Sequence, residues 1–203
     1  MREVNDDQKP TDAPLPTARR HLRLSERFLL IALAVGLAVL VRWPLSVSLW
    51  AAPMDPNSPL HILALEQIAG GGRWTEISNL AFPTPVPIRM VALPTLLLGA
   101  PIAQFTSSMA ALNLATTGML ALQGLSLAWL AGRMGGGPKA QVVAITAGVL
   151  APISIHVQAL GQQENLGFLA MALAVAGASS SGRSSWIMCL TSLFLAGFSS
   201  PYQ

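Results

Sequence analysis

The stretch MDPNSPLHILALEQIAGGGRW, residues 54–74, gathers Asp55, His61, Glu66 and Arg73 directly after a long apolar run. Carboxylate, imidazole and guanidinium groups are the ones that move protons and hold anions at a reacting centre. Two more candidates follow: Arg89, which closes the Pro-rich FPTPVPIR, and Glu164, in the short turn GQQENLG. Spacing alone leaves two readings open, an ordinary solvated loop or a site held against a membrane face. Asp55 precedes Pro56, and Asp-Pro is turn chemistry. His61 equally suits a satisfied interfacial position, and Glu66 a solvated helix charge. The chain has no zinc-ligand spacing, nucleophile elbow or dinucleotide fingerprint. GRMGGGPKA has the glycines and lysine of a phosphate loop but lies between two apolar runs, so it reads as a flexible turn.

The elements that position these residues are set by composition. Of 203 residues, 52% are hydrophobic and 10% charged, and Met90 to Gly132 carries no charge at all. A soluble domain averages about 25% charged. Apolar runs occur at 28–50, 90–105, 107–132, 141–160, 166–180 and 185–200. Runs of this kind predict membrane spans and an all-α polytopic membrane protein. In the first run, Arg42 is expected to snorkel to the interface beside Trp43.

The run at 90–105 is the exception. Its 16 residues reach about 24 Å as a helix, short of the roughly 30 Å hydrocarbon core. Pro94 and Pro101 interrupt it. Charge argues the same way. Arg19, Arg20, Arg23 and Arg27 precede the first span and place the N-terminus in the cytoplasm. If 90–105 crossed, Arg133, Lys139 and Arg183 would all face outward, against the positive-inside rule. The expected topology therefore has five transmembrane helices and one non-crossing segment. The outer loop, 51–106, holds juxtamembrane helices, and residues 25–203 form the membrane domain. Every acidic residue after Glu26, namely Asp55, Glu66, Glu76 and Glu164, then lies outside.

Residues 1–24 read as a disordered cytoplasmic tail. The net charge of +3 is local to that flank, and no aromatic precedes Phe28, so no nucleic-acid partner is expected. The single cysteine, Cys189, lies in an apolar run and forms no internal disulfide. In the outer loop, Ser58-Pro59 predicts a helix start and Gly70-Gly71-Gly72 its end. On that helix His61, Leu65 and Ile68 share one face, and Ile62, Glu66 and Ala69 another.

This order of parts resembles the N-terminal half of the GT-C glycosyltransferases, multispanning enzymes that use polyprenyl-phosphate-linked sugars. The stretch MDPNSPLHILALEQIAGGGRWTEISNLAFPTPVPIRMVALPTLLLGAPIAQ is similar to the family's first outer loop. The likeness lies in the Asp, the His six residues on and the Pro-rich run into an apolar segment. LSLAWLAGRMGGGPKAQVVAITAGVLAPISIHVQALGQQENLGFLAMALAVAG is similar to the spans that follow. The resemblance covers residues 25–203 and departs from the family in Glu164, which sits in QQEN rather than after an arginine. It implies inverting transfer of a sugar from its lipid phosphate to an acceptor hydroxyl, with Asp55 as base. Either Arg73, Arg89 or His61 stabilises the departing phosphate, or a divalent metal held by Asp55 and Glu164 does so.

The resemblance further implies a multi-pass protein of the plasma (inner) membrane, with membrane lipid and a polyprenyl-phosphate-linked sugar as its partners. FSSPYQ falls where such enzymes have more spans to come. A truncated member is therefore expected, catalytically silent alone, with a partner chain completing the bundle. The alternative is a non-enzymatic membrane protein, a transporter subunit or an assembly partner. A transporter calls for ionisable residues buried within spans and a pseudo-symmetric repeat; here only Arg42 and His156 lie within apolar runs, and no internal repeat is evident.

Overall fold

The computed structural model describes residues 23–43, 45–50, 58–72, 76–77, 86–87, 93–151, 167–180 and 182–199. The architecture is all-α. Seven helices are described: α1 Leu24–Val41, α2 Ser58–Ala69, α3 Leu93–Ala103, α4 Ser108–Arg133, α5 Pro138–Leu150, α6 Gly167–Ala178 and α7 Arg183–Ser199. One small antiparallel ladder accompanies them, β1 Glu76–Ile77 against β2 Val86–Pro87, with Glu76 opposite Pro87. Of these helices α1 and α4 are long and apolar enough to cross a membrane.

Local chemistry sets the helix ends. Glu26 turns back to accept a bond from the Arg23 backbone N–H at 2.8 Å, which caps the start of α1. Ser107 Oγ accepts from the Ala110 N–H and starts α4. Helix α2 ends in a Schellman turn. Gly71 takes a positive φ of 76°, and Gly72 and Gly71 donate to the carbonyls of Gln67 and Ile68 at 2.8 and 3.1 Å. Helix α4 ends the same way at Gly135, with φ 89°.

Two hairpins organise the bundle. In α4–α5, Gln123 Nε2 donates to the Gly148 carbonyl at 2.9 Å. A methyl added to Gly124 would meet Val149 at 2.7 Å, and one added to Gly148 would meet Leu127 at 2.7 Å. The missing side chains let the two backbones approach closely. In α6–α7, Ser185 Oγ donates to the Gly177 carbonyl and Ser192 Oγ to the Ala170 carbonyl, both at 2.7 Å. That pairing fixes the two helices antiparallel.

Helix α1 also runs antiparallel to α4. Its end, at Arg42, bonds Asn113 near the start of α4. Its buried stripe, Leu30, Ala34 and Ala38, packs in one cluster with Leu120, Ala121 and Ala128 of α4 and Ile145 and Val149 of α5. The stripe repeats every four residues, so it occupies one side of the helix. The other sides, with Phe28, Leu29, Ile31, Val35 and Leu40, are apolar and exposed.

Helix α3 has 11 residues, about 17 Å of helix. Leu98 lies 3.5 Å from where a Gly118 methyl would be, and Ala115 lies 3.4 Å from where a Gly99 methyl would be. These contacts lay α3 antiparallel along the first turns of α4. Helix α2 packs on the same end, in a second cluster built from Ala64, Leu65, Leu96, Ala100, Ala111 and Leu112.

Three boundaries differ from expectation or fall outside the described residues. The run read as spanning 28–50 is helical only to Val41 and continues in turns. Pro44 follows closely; it disfavours helical backbone at the residue before it and has no N–H to extend the ladder. Helix α5 is described to Leu150, and residues 152–160 lie outside the described residues. So does the tail as far as residue 22.

Candidate functional site

One end of the bundle collects polar groups: the end where α1 stops, α4 begins, and α2 and α3 pack. Arg42, the residue after α1, is 1% exposed. Its Nη2 donates to Asn113 Oδ1 at 3.3 Å, and Asn113 Nδ2 donates to the Leu49 carbonyl at 2.8 Å. Asn113 is itself fully buried. The turn that brings Leu49 there is held by Ser46, whose Oγ donates to the Val39 carbonyl at 2.7 Å and whose N–H donates to the Arg42 carbonyl. A single carboxamide thus ties α1, the turn after it and α4 together.

This corrects the expectation that Arg42 snorkels outward beside Trp43. Trp43 is exposed and Arg42 is not. A buried guanidinium is costly unless acceptors meet it, and Asn113 supplies one within the bundle. Asn113 had not been singled out by sequence reasoning. Its signal was a carboxamide inside an uncharged apolar run, where polar side chains usually bond across helices.

His61 lies on α2 and is buried, like its facial neighbour Leu65; Ile68 is partly buried. Glu66 is exposed. The two faces read from the sequence are therefore distinct in the structure, with the imidazole turned into the protein and the carboxylate out of it. Leu65 packs in the cluster that includes Leu112, and Asn113 follows Leu112, so α2 and the Arg42–Asn113 pair share this end. Thr95, on α3, is buried, and its hydroxyl oxygen meets no hydrogen-bond partner among the described residues.

The other sequence candidates, Asp55, Arg73, Arg89 and Glu164, lie outside the described residues. Among the described residues no three His, Cys, Asp or Glu side chains gather as metal ligands. Among the described residues, Arg42 and His61 are the cationic or titratable side chains buried near this end. Comparison with family models, with curated proteins and with solved structures returns no match.

Proposed function

We propose that the chain is a multi-pass protein of the plasma membrane, and that its segment between α1 and α4 belongs to a GT-C-type site for transferring sugar from a polyprenyl phosphate. The observation that carries this reading is the antiparallel pairing of α1 and α4, with α2 and α3 packed at the end where the two meet. A chain that leaves α1 and enters α4 at the same end has no need to cross between them. This supports a non-crossing α3 and an outer loop confined to one face.

The exposed apolar sides of α1 and α7 support the membrane reading. On α7, Trp186, Ile187, Leu190, Leu193 and Phe194 all lie open. Bare surface of that extent is unfavourable in water and neutral in lipid. In this reading Asp55, three residues before α2, takes the acceptor proton as the sugar leaves. The described helix that follows it, α2, packs at the end of the bundle where α1 stops and α4 begins, a place where a lipid phosphate and a water-borne acceptor can meet.

A photoreactive polyprenyl phosphate tests the proposal on the purified chain. Labelling should fall within residues 51–106 and the adjoining ends of α1 and α4. Polyprenyl-phosphate sugar should compete it away and an ordinary phospholipid should not. Labelling that both lipids displace equally would leave a lipid-facing scaffold with no donor site, which is the non-enzymatic alternative.

A further inference from the structure

The far end of the bundle carries charge from four separate helix ends. Arg23 and Arg27 lie at the start of α1, Arg133 at the end of α4, Lys139 in the first turn of α5 and Arg183 at the start of α7. The helix directions bring them together. The start of α1 lies beside the end of α4 because the two run antiparallel. Helix α5 begins just after α4 ends. Arg133 Nη2 donates to Ser180 Oγ at 2.7 Å, which fastens the α6–α7 turn to the same end.

All five cations are exposed. Among the described residues the acid at this end is Glu26, and it is engaged by the Arg23 backbone.

Helix stability does not account for this placement. Arg23, Lys139 and Arg183 sit at helix N-termini, where the macrodipole is positive and a cation is unfavourable. Only Arg133 sits at a C-terminus. Three of the five charges therefore oppose their own helices, which a negative counterpart from outside the bundle would compensate.

The surroundings identify its class. Leu24, Phe28, Met134, Trp186 and Ile187 are exposed next to these cations. The Arg133 guanidinium lies over the Trp129 ring, 5.4 Å from its centroid. Nucleic acid or an acidic protein would meet phosphate-binding charge bordered by bare apolar surface. A phospholipid meets both, with its phosphate on the cations and its chains along the apolar sides; tryptophan belongs at that level.

We propose that this end is a binding surface for anionic phospholipid headgroups. The inference rests on the multi-pass membrane reading and adds a lipid preference to it. Juxtamembrane cations draw anionic lipid by about fivefold in affinity each.

The test uses the whole chain, inserted into bilayers of phosphatidylcholine alone or mixed with phosphatidylglycerol, and native mass spectrometry of the lipid that stays bound. Phosphatidylglycerol should be retained over phosphatidylcholine, and added salt should weaken the preference. The triple variant Arg27→Gln, Lys139→Gln, Arg183→Gln should lower the preference by about fivefold for each charge removed. A second variant with Arg27→Lys and Arg183→Lys keeps the charge and should keep the preference, which separates lost charge from lost folding. Equal retention of the two lipids, or a preference unchanged in the triple variant, overturns the proposal while the membrane reading stands. A chain that inserts into neither bilayer overturns both.

Discussion

Arg42 and Asn113, 71 positions apart in sequence, are joined by a hydrogen bond of 3.3 Å between two fully buried side chains. The bond ties the end of α1 to the start of α4, in keeping with the antiparallel packing of the two helices. Asn113 also holds the Leu49 carbonyl, so the turn leaving α1 is fastened at the same point. The segment that leaves α1 starts from a fixed anchor.

Removing either partner of this pair is expected to lower stability by about 1–3 kcal/mol, the cost of a buried polar group left without its bond. Arg42→Met and Asn113→Leu together should cost less than the two single changes added, with a coupling of about 0.5–3 kcal/mol. Thermal unfolding of the wild type, both singles and the double in one detergent completes the cycle. Strictly additive losses would show the two side chains to be independent.

Glycine substitutions should separate packing from propensity. Gly124→Ala places a methyl 2.7 Å from Cγ2 of Val149, a β-branched side chain stiff in a helix, and 3.4 Å from the Ile145 carbonyl in the α4–α5 contact. It should destabilise by about 1–3 kcal/mol through overpacking. Gly36, on α1, has nothing within 4 Å of an added methyl. Gly36→Ala should be neutral or stabilising by up to about 1 kcal/mol, since alanine is the better helix former. Reversal of that order in thermal melts would contradict the tight α4–α5 hairpin.

The helices were legible in the sequence where local chemistry bounds them. Ser58, Pro59 and the three glycines bracket α2 within a few residues, and the glycine turn that ends it needs no distant partner. Helix α3 was legible as short from its brief apolar run and from Pro94 at its start, but Pro101 does not interrupt it as expected: the helix continues through Pro101 to Ala103. Arg42 was misread because snorkelling and inward bonding differ only in what a distant helix offers it. Nothing near residue 42 announces Asn113. His61 and Glu66 could be placed on different helix faces by spacing, yet which face packs inward depends on Leu96 and Leu112 from α3 and α4. Asp55 and Glu164 lie outside the described residues, so their pairing rests on topology.

That topology makes a direct prediction. With Cys189→Ser as background, cysteines placed at Lys139 and Arg183 should be shielded from a membrane-impermeant thiol reagent in intact cells and react after permeabilisation. A cysteine at Glu66, which is exposed on α2, should react in intact cells. Labelling of position 139 from outside would make 90–105 a crossing helix and reverse every later span.

The proposed site requires Asp55 and Glu164 to face one outer cavity. Asp55 lies between the turn anchored by Asn113 and the start of α2. Glu164 lies three residues before α6 begins at Gly167. The far end of α6 is fastened to the end of α4 through Ser180, so the start of α6 points toward the α2–α3 end. The proposed site needs both acids at the end opposite the five cations, where a base and a second carboxylate could act on one bound lipid phosphate and acceptor. Asp55→Cys with Glu164→Cys, in the Cys189→Ser background, should be joined by a short bis-maleimide added from outside. A gel shift on proteolysis between the two positions reads the cross-link. If each cysteine is labelled singly from outside but the pair never cross-links, the carboxylates occupy different sides of the bundle and do not share a site.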